Sequence, residues 1–178
     1  PMPKGSKPIQ VAPWVVAIVS FLGVVVLGVL YLRAPSNGGS MIRTSILPPV
    51  KETFHFYGNF SGPPVISPDG KHIVFAAKDS SDKQLLYVRS LDELNGRPLA
   101  GTEGAVHPFW SPDNQFIGFV AQGKLKRIDA SGGPPITICE SRDSRGGSWS
   151  KEGMIVFSPG AFNPLFAVSA SGGTPTQI

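Results

Sequence analysis

Three histidines and one cysteine are the side chains of this chain best suited to metal binding, nucleophilic attack or proton transfer near neutral pH. His55, His72 and His107 lie far apart, with no short-spaced ligand pair, His-Glu-x-x-His element or Cys/His cluster. Each reads as a strand or loop residue. Cys139 closes the apolar run Pro135-Ile-Thr-Ile-Cys139 with no base beside it, and reads as a small buried hydrophobe. A single cysteine excludes an intrachain disulfide. Gly146-Gly-Ser-Trp-Ser150 resembles a Gly-x-Ser-x-Gly nucleophile elbow but fails at its last position, and reads as a loop. Asp79-Ser-Ser-Asp82 has the composition of a weak cation site, and equally of a hairpin turn, which is the reading taken. Arg142 and Arg145 flank Asp143 in a polar loop; they are the candidate contacts for an acidic partner. There is no phosphate-cradling loop and no haem-attachment motif. No set of catalytic groups assembles, so the chain reads as a non-enzyme without a cofactor.

The remaining acids of interest recur for a different reason. Ile66-Ser-Pro-Asp-Gly70 precedes His72-Ile-Val-Phe-Ala-Ala77; Trp110-Ser-Pro-Asp-Asn114 precedes Phe116-Ile-Gly-Phe-Val-Ala121; Trp149-Ser-Lys-Glu-Gly153 precedes Met154-Ile-Val-Phe-Ser158. The offsets are 44 and 39 residues. Pro68 and Pro112 preset φ for a type I turn, Asp69, Asp113 and Glu152 occupy its third position, and Gly70 and Gly153 its fourth. These are turn residues and not a catalytic set. Each turn leads into a hydrophobic run able to be buried on both faces. Trp110 and Trp149 hold one repeat position, where core packing between units is expected. A second motif follows: Leu85-Leu-Tyr-Val-Arg-Ser-Leu-Asp92, Lys124-Leu-Lys-Arg-Ile-Asp129 and Leu165-Phe-Ala-Val-Ser169, the last two continuing into Ser-Gly-Gly. A period near 40 with about four short strands per unit is the signature of β-propeller blades. The fold class is therefore all-β: a partial propeller of about three four-stranded blades, at 46–98, 99–138 and 139–178. High Gly (21) and Pro (18) agree with a turn-rich β protein.

Ahead of the repeats lies an apolar stretch. From Val11 to Leu32 no residue is charged, and these 22 residues would span roughly 33 Å as a helix. Trp14 and Tyr31 stand about 25 Å apart along it, as interfacial anchors would. Arg33 closes the run. The stretch is too long, and lacks the small-residue cleavage site, for a signal peptide. It reads as a single transmembrane helix between a tail at 1–10 and a linker at 33–45. Pro1 reads as a native start, because an initiator Met is removed before Pro. Lys4 and Lys7 come before any acid, which by the positive-inside rule puts the N-terminus in the cytoplasm and the β domain in the periplasm of a bacterial inner membrane. Formal net charge is +4, and without those two lysines 14 basic residues face 12 acidic ones. With no basic run, nucleic acid is not an expected partner. The expected partners are the bilayer, other membrane-protein subunits, and pigments or lipids along the helix.

The Ser-Pro-Asp-Gly turns, the Leu-Tyr-Val strand and the Gly-Gly-x-Pro segments resemble PD40 (WD40-like) repeats of TolB-like propellers. Arg43-Thr-Ser-Ile-Leu-Pro-Pro49 and Pro98-Leu-Ala-Gly-Thr-Glu-Gly104 resemble the extracytoplasmic region of bacterial receptor-type serine/threonine kinases, in which a transmembrane helix precedes such repeats. The resemblance implies a propeller, and the kinase domain is absent: there is no Gly-rich loop, His-Arg-Asp or Asp-Phe-Gly. Three blades do not close a ring. The expectation is a non-catalytic, membrane-anchored accessory subunit of a larger bacterial complex. By analogy with other small single-helix subunits, that complex is an energy-transducing one, photosynthetic or respiratory. The alternative is a sensor or ligand-binding ectodomain derived from a receptor kinase.

Overall fold

The computed structural model describes residues 13–33, 45, 48, 53, 54, 62–160 and 162–178. Two units are distinct, 1–43 and 44–178. In the first, the described element is helix α1, Pro13–Arg33, 21 residues long. Proline suits its first position, where a backbone N–H has no intrahelical partner. The helix thus begins two residues later than the expected span and ends one later. Among the described residues no helix is long and apolar enough to cross a membrane. Side chains of α1 are described at 14, 15, 17, 18 and 20–29, and the last run covers only about 15 Å. The side chains of Tyr31 and Arg33 lie outside the described residues, as do the basic tail with Lys4 and Lys7, residues 34–44 of the expected linker, and His55.

The second unit is all-β and holds three antiparallel sheets. In the first, β3 (His72–Lys78), β4 (Gln84–Ser90) and β5 (Arg97–Leu99) lie side by side. Two short strands, β1 (Thr53–Phe54) and β2 (Val65–Ile66), share the inner edge of β3. The second sheet runs β6 (Val106–Trp110), β7 (Phe116–Ala121), β8 (Lys124–Asp129), β9 (Ile136–Glu140). The third runs β10 (Gly147–Trp149), β11 (Met154–Phe157), β12 (Phe166–Ser169), β13 (Thr176–Gln177). The change-overs fall at 100–105 and 141–146, so the boundaries expected at 98/99 and 138/139 cut through β5 and β9.

Strand β7 is apolar on both sides because its sheet is sandwiched between the other two. Val74, Ala76, Leu86, Val88 and Leu99 of the first sheet meet Trp110, Ile117, Phe119, Ala121 and Ile128 of the second in one core. Val120, Leu125 and Cys139 of the second meet Ile155, Phe157 and Val168 of the third in another. Phe109 fills the second core by lying against Gly118, where a Cβ would come within 2.3 Å of its ring. A bulge between Val106 and Phe109, with His107 at φ 50°, re-aims β6 to allow this.

Candidate functional site

The repeated turns are built alike. Gly70 N donates to Ser67 O at 2.8 Å, Asn114 N to Ser111 O at 3.1 Å, and Gly153 N to Ser150 O at 3.1 Å. The fourth residue has positive φ in each, 70°, 62° and 79°, which Gly and Asn tolerate. Ser67 Oγ donates to Asp69 Oδ1 at 2.5 Å and accepts from His72 N at 2.9 Å. Ser111 Oγ does the same with Asp113 Oδ1 at 2.5 Å and Phe116 N at 2.8 Å. Lys71 N and Gln115 N add a second donor to each carboxylate. The serine hydroxyl and then the backbone N–H hold Asp69 and Asp113 below the ordinary carboxylate range. In the third turn Ser150 lowers Glu152 in the same way. These acids build turns, and Oδ1 of Asp69 and of Asp113 is committed to neighbouring donors.

The turns also tie blade to blade. Asn114 Oδ1 accepts from Asp69 N at 3.1 Å, and Trp110 Nε1 donates to Val65 O at 3.0 Å. Beside these contacts a groove opens at each seam. The first, about 480 Å³, is lined by His72, Val88, Ser90, Glu93, Arg97 and Trp110 among others. The second, about 450 Å³, is lined by Asp113, Phe116, Arg127, Trp149, Lys151 and neighbours. Trp149 stacks on Phe116, ring centroids 6.1 Å apart, and the Arg127 guanidinium sits 4.7 Å from the centre of the same Phe116 ring. Such a shelf suits an anionic ligand by charge-assisted contact with Arg127 and an aromatic one by stacking. Trp110 is buried in the seam core; Trp149 is half-buried.

Other predicted positions separate from this shelf. Arg142 and Arg145 are exposed in the loop 141–146, at the opposite end of the sheets from the turns. Arg142 and Asp143 border a groove of about 300 Å³ there. Asp79 takes its own turn's donors, Ser81 N, Ser81 Oγ and Lys83 N, and Asp82 pairs with Lys78 at 2.8 Å. Both carboxylates therefore serve the turn. Cys139 is buried, and burial, with Glu140 beside it, pushes its thiol up to about 11. That is a thiol held away from the reactive thiolate form. Among the described residues no three His, Cys, Asp or Glu side chains converge as metal ligands.

Two features were not read from the sequence. Arg127 shares a face with Leu125 by strand alternation, and a cation on an apolar face was the available signal. Thr102, fully buried, accepts from Leu86 N at 3.0 Å and donates to Leu99 O at 2.6 Å, joining the loop after β5 to β4.

No protein-family model matches the chain. No curated protein matches it either. Among solved structures it is similar to a protein assigned as TolB from Agrobacterium tumefaciens, at TM-score 0.57 and 19% identity, covering 70% of this chain and 48% of that one. It is also similar to the β-propeller domain of Cps50 (Swd1) from Myceliophteria thermophila, at TM-score 0.49 and 13% identity over 71% of this chain and 41% of that one. The β-propeller domain of the Trilobed protease from Pyrococcus furiosus gives TM-score 0.48 and 16% identity over 67% and 42%. With its antiparallel sheets packed in succession and its likeness to the TolB structure, the β unit has a β-propeller fold, and the chain spans about half the length of that structure.

Proposed function

We propose that this chain is a non-catalytic, membrane-anchored accessory subunit of a larger bacterial membrane complex, with its β domain covering an extracytoplasmic face of a partner. The observation that carries this reading is the apolar surface of α1. Val24, Val25, Val26 and Leu27 are successive, so they point to all sides of the helix, and they are 46–68% exposed. A surface helix of a water-soluble protein keeps a polar face, and none is present here. Such a surface calls for lipid or neighbouring helices. Trp14, 65% exposed, suits the headgroup level. An energy-transducing assembly, photosynthetic or respiratory, is the class of complex favoured by analogy with other small single-helix subunits.

Alkaline carbonate washing of native membranes tests the anchor. The full chain is expected to stay with the bilayer and a chain of residues 44–178 to be released; release of the full chain by carbonate overturns the reading.

A second reading, a ligand-binding ectodomain of the receptor-kinase type, is supported by the seam groove with Arg127, Phe116 and Trp149. It predicts that an anionic aromatic ligand raises the unfolding temperature of 44–178, and that Arg127→Ala abolishes the rise.

A further inference from the structure

The two seams repeat position by position, and at one position they part. Val74 pairs with Val88 in the first sheet, and Gly118 with Arg127 in the second, so Val88 and Arg127 are counterparts on the third strand. Val88 pairs onward with Arg97 on the fourth strand, and Arg127 with Ile136. The apolar residue and the arginine have exchanged strands between one sheet and the next.

The exchange changes what each guanidinium does. Arg97 reaches across the first seam, where Nη2 donates to Ala130 O at 2.8 Å. Glu93 lines the same groove, so with His72 neutral its formal charges cancel. Arg127 in the second seam has no such use. Among the described residues it has no hydrogen-bond or ion-pair partner, and its Nε is buried without an acceptor. Its contact is the Phe116 ring, 4.7 Å away. A planar cation laid on an aromatic ring sheds part of its water, which strengthens its pull on an anion.

The rest of the second groove sets the ligand class. Arg127 and Lys151 face Asp113 there, leaving one positive charge in excess. That excess balances a single negative charge, whereas a phosphate dianion would meet Asp113 with a charge left over. The guanidinium fork matches a carboxylate by two parallel hydrogen bonds. Trp149, half-buried and stacked on Phe116, supplies an aromatic platform beside it. About 450 Å³ takes a single ring with a short acid arm. Both walls belong to sheets that pack on each other through Val120, Leu125, Ile155 and Phe157, so the groove forms whatever meets the far face of the third sheet.

We propose that the second seam binds an aryl monocarboxylate, its carboxylate forked on the Nη groups of Arg127 and its ring against Trp149, and that the first seam does not. This rests on the ligand-binding reading of that groove and names the class of ligand it takes.

The test is isothermal titration calorimetry of the full chain in neutral detergent at about pH 7.5, with the heat of each probe entering empty micelles subtracted. Phenylacetate carries a ring and one charge, phenylacetamide the ring alone, acetate the charge alone, and phenyl phosphate the ring with close to two charges at this pH. Phenylacetate is expected to bind at one site, at least about tenfold more tightly than the other three. Arg127→Gln should weaken it about tenfold or more, and Lys151→Glu, at an exposed position, about threefold at low salt. Both variants should keep the unfolding temperature of the parent chain. Equal binding of phenylacetamide or of acetate removes the charge or the ring from the site and overturns it. A stoichiometry of two overturns the contrast between the seams. Phenyl phosphate binding as tightly as phenylacetate, with the same loss in Arg127→Gln, overturns the carboxylate and leaves the ligand-binding reading standing. Saturable binding of neither anion, or binding that Arg127→Gln leaves unchanged, overturns both.

Discussion

A carboxylate two residues after a serine is held by donors on both sides, and Asp113 shows the consequence for pH. Its folded value lies below its unfolded one. The stabilisation is therefore fully present above about pH 4 and is lost as the pH falls through the lower folded value. Asp69, Asp79, Asp92, Asp129 and Glu152 are shifted the same way by hydroxyl and backbone donors, and Glu103 by backbone donors and Lys83. The unfolding temperature of 44–178 is expected to be flat near neutrality and to drop below about pH 4, with a shallower acid slope in Asp113→Asn. Equal slopes would remove the turn from the account. Thr102→Val carries a larger expectation. It leaves Leu86 N–H and Leu99 O without their shared hydroxyl inside the core, a loss of about 2 kcal/mol in denaturant unfolding. The aspartates were legible in the sequence because Ser-Pro-Asp fixes a local turn. Thr102 and Arg127 were not, because their partners come from other strands.

Strands β3, β7 and β11 fall where the repeated apolar runs placed them, since a strand packed between layers leaves a continuous hydrophobic signal. The outer strands β5, β9 and β13 share no motif, and the expected blade boundaries slipped into two of them for that reason. The split inner edge made by β1 and β2 was equally silent, Thr53–Phe54 having no counterpart in the other repeats. Gly118 shows where repeat logic and packing part. Blades one and three read Ile-Val-Phe at this point, so Gly118→Val would perfect the repeat. It would also drive a side chain into the Phe109 ring, which stands 2.3 Å from the position of a Cβ. Gly118→Val is expected to destabilise the domain by about 1–3 kcal/mol, the cost of overpacking a filled core, as read by denaturant titration. A neutral or stabilising result would show that Phe109 has room to move.

In the β unit, stability is set by the two seams between neighbouring sheets, and the period of the sequence was enough to reveal three sheets in a row. What the period did not reveal is the asymmetry of the two ends, because closure of the first sheet's outer face depends on Phe54 and Ser45, outside any repeat. The middle blade packs on both faces and the third on one. Amide hydrogen exchange of the isolated domain is therefore expected to be fastest in β11 and β12 and slowest in β7 and β8. Equal protection would mean that the outward face of the third blade is already covered. The membrane placement of α1 was legible only as an apolar run, and it stays a proposal resting on that run and its all-round exposure. The three tryptophans divide the chain in a useful way. Trp14 lies exposed on α1, Trp110 is 7% exposed in the first seam, and Trp149 is half-buried in the second. Each part of the molecule thus carries its own fluorophore. With Trp14 replaced by Phe, emission reports only the seams, and with Trp110 or Trp149 replaced in turn, the colour of the remaining light tells which seam has opened.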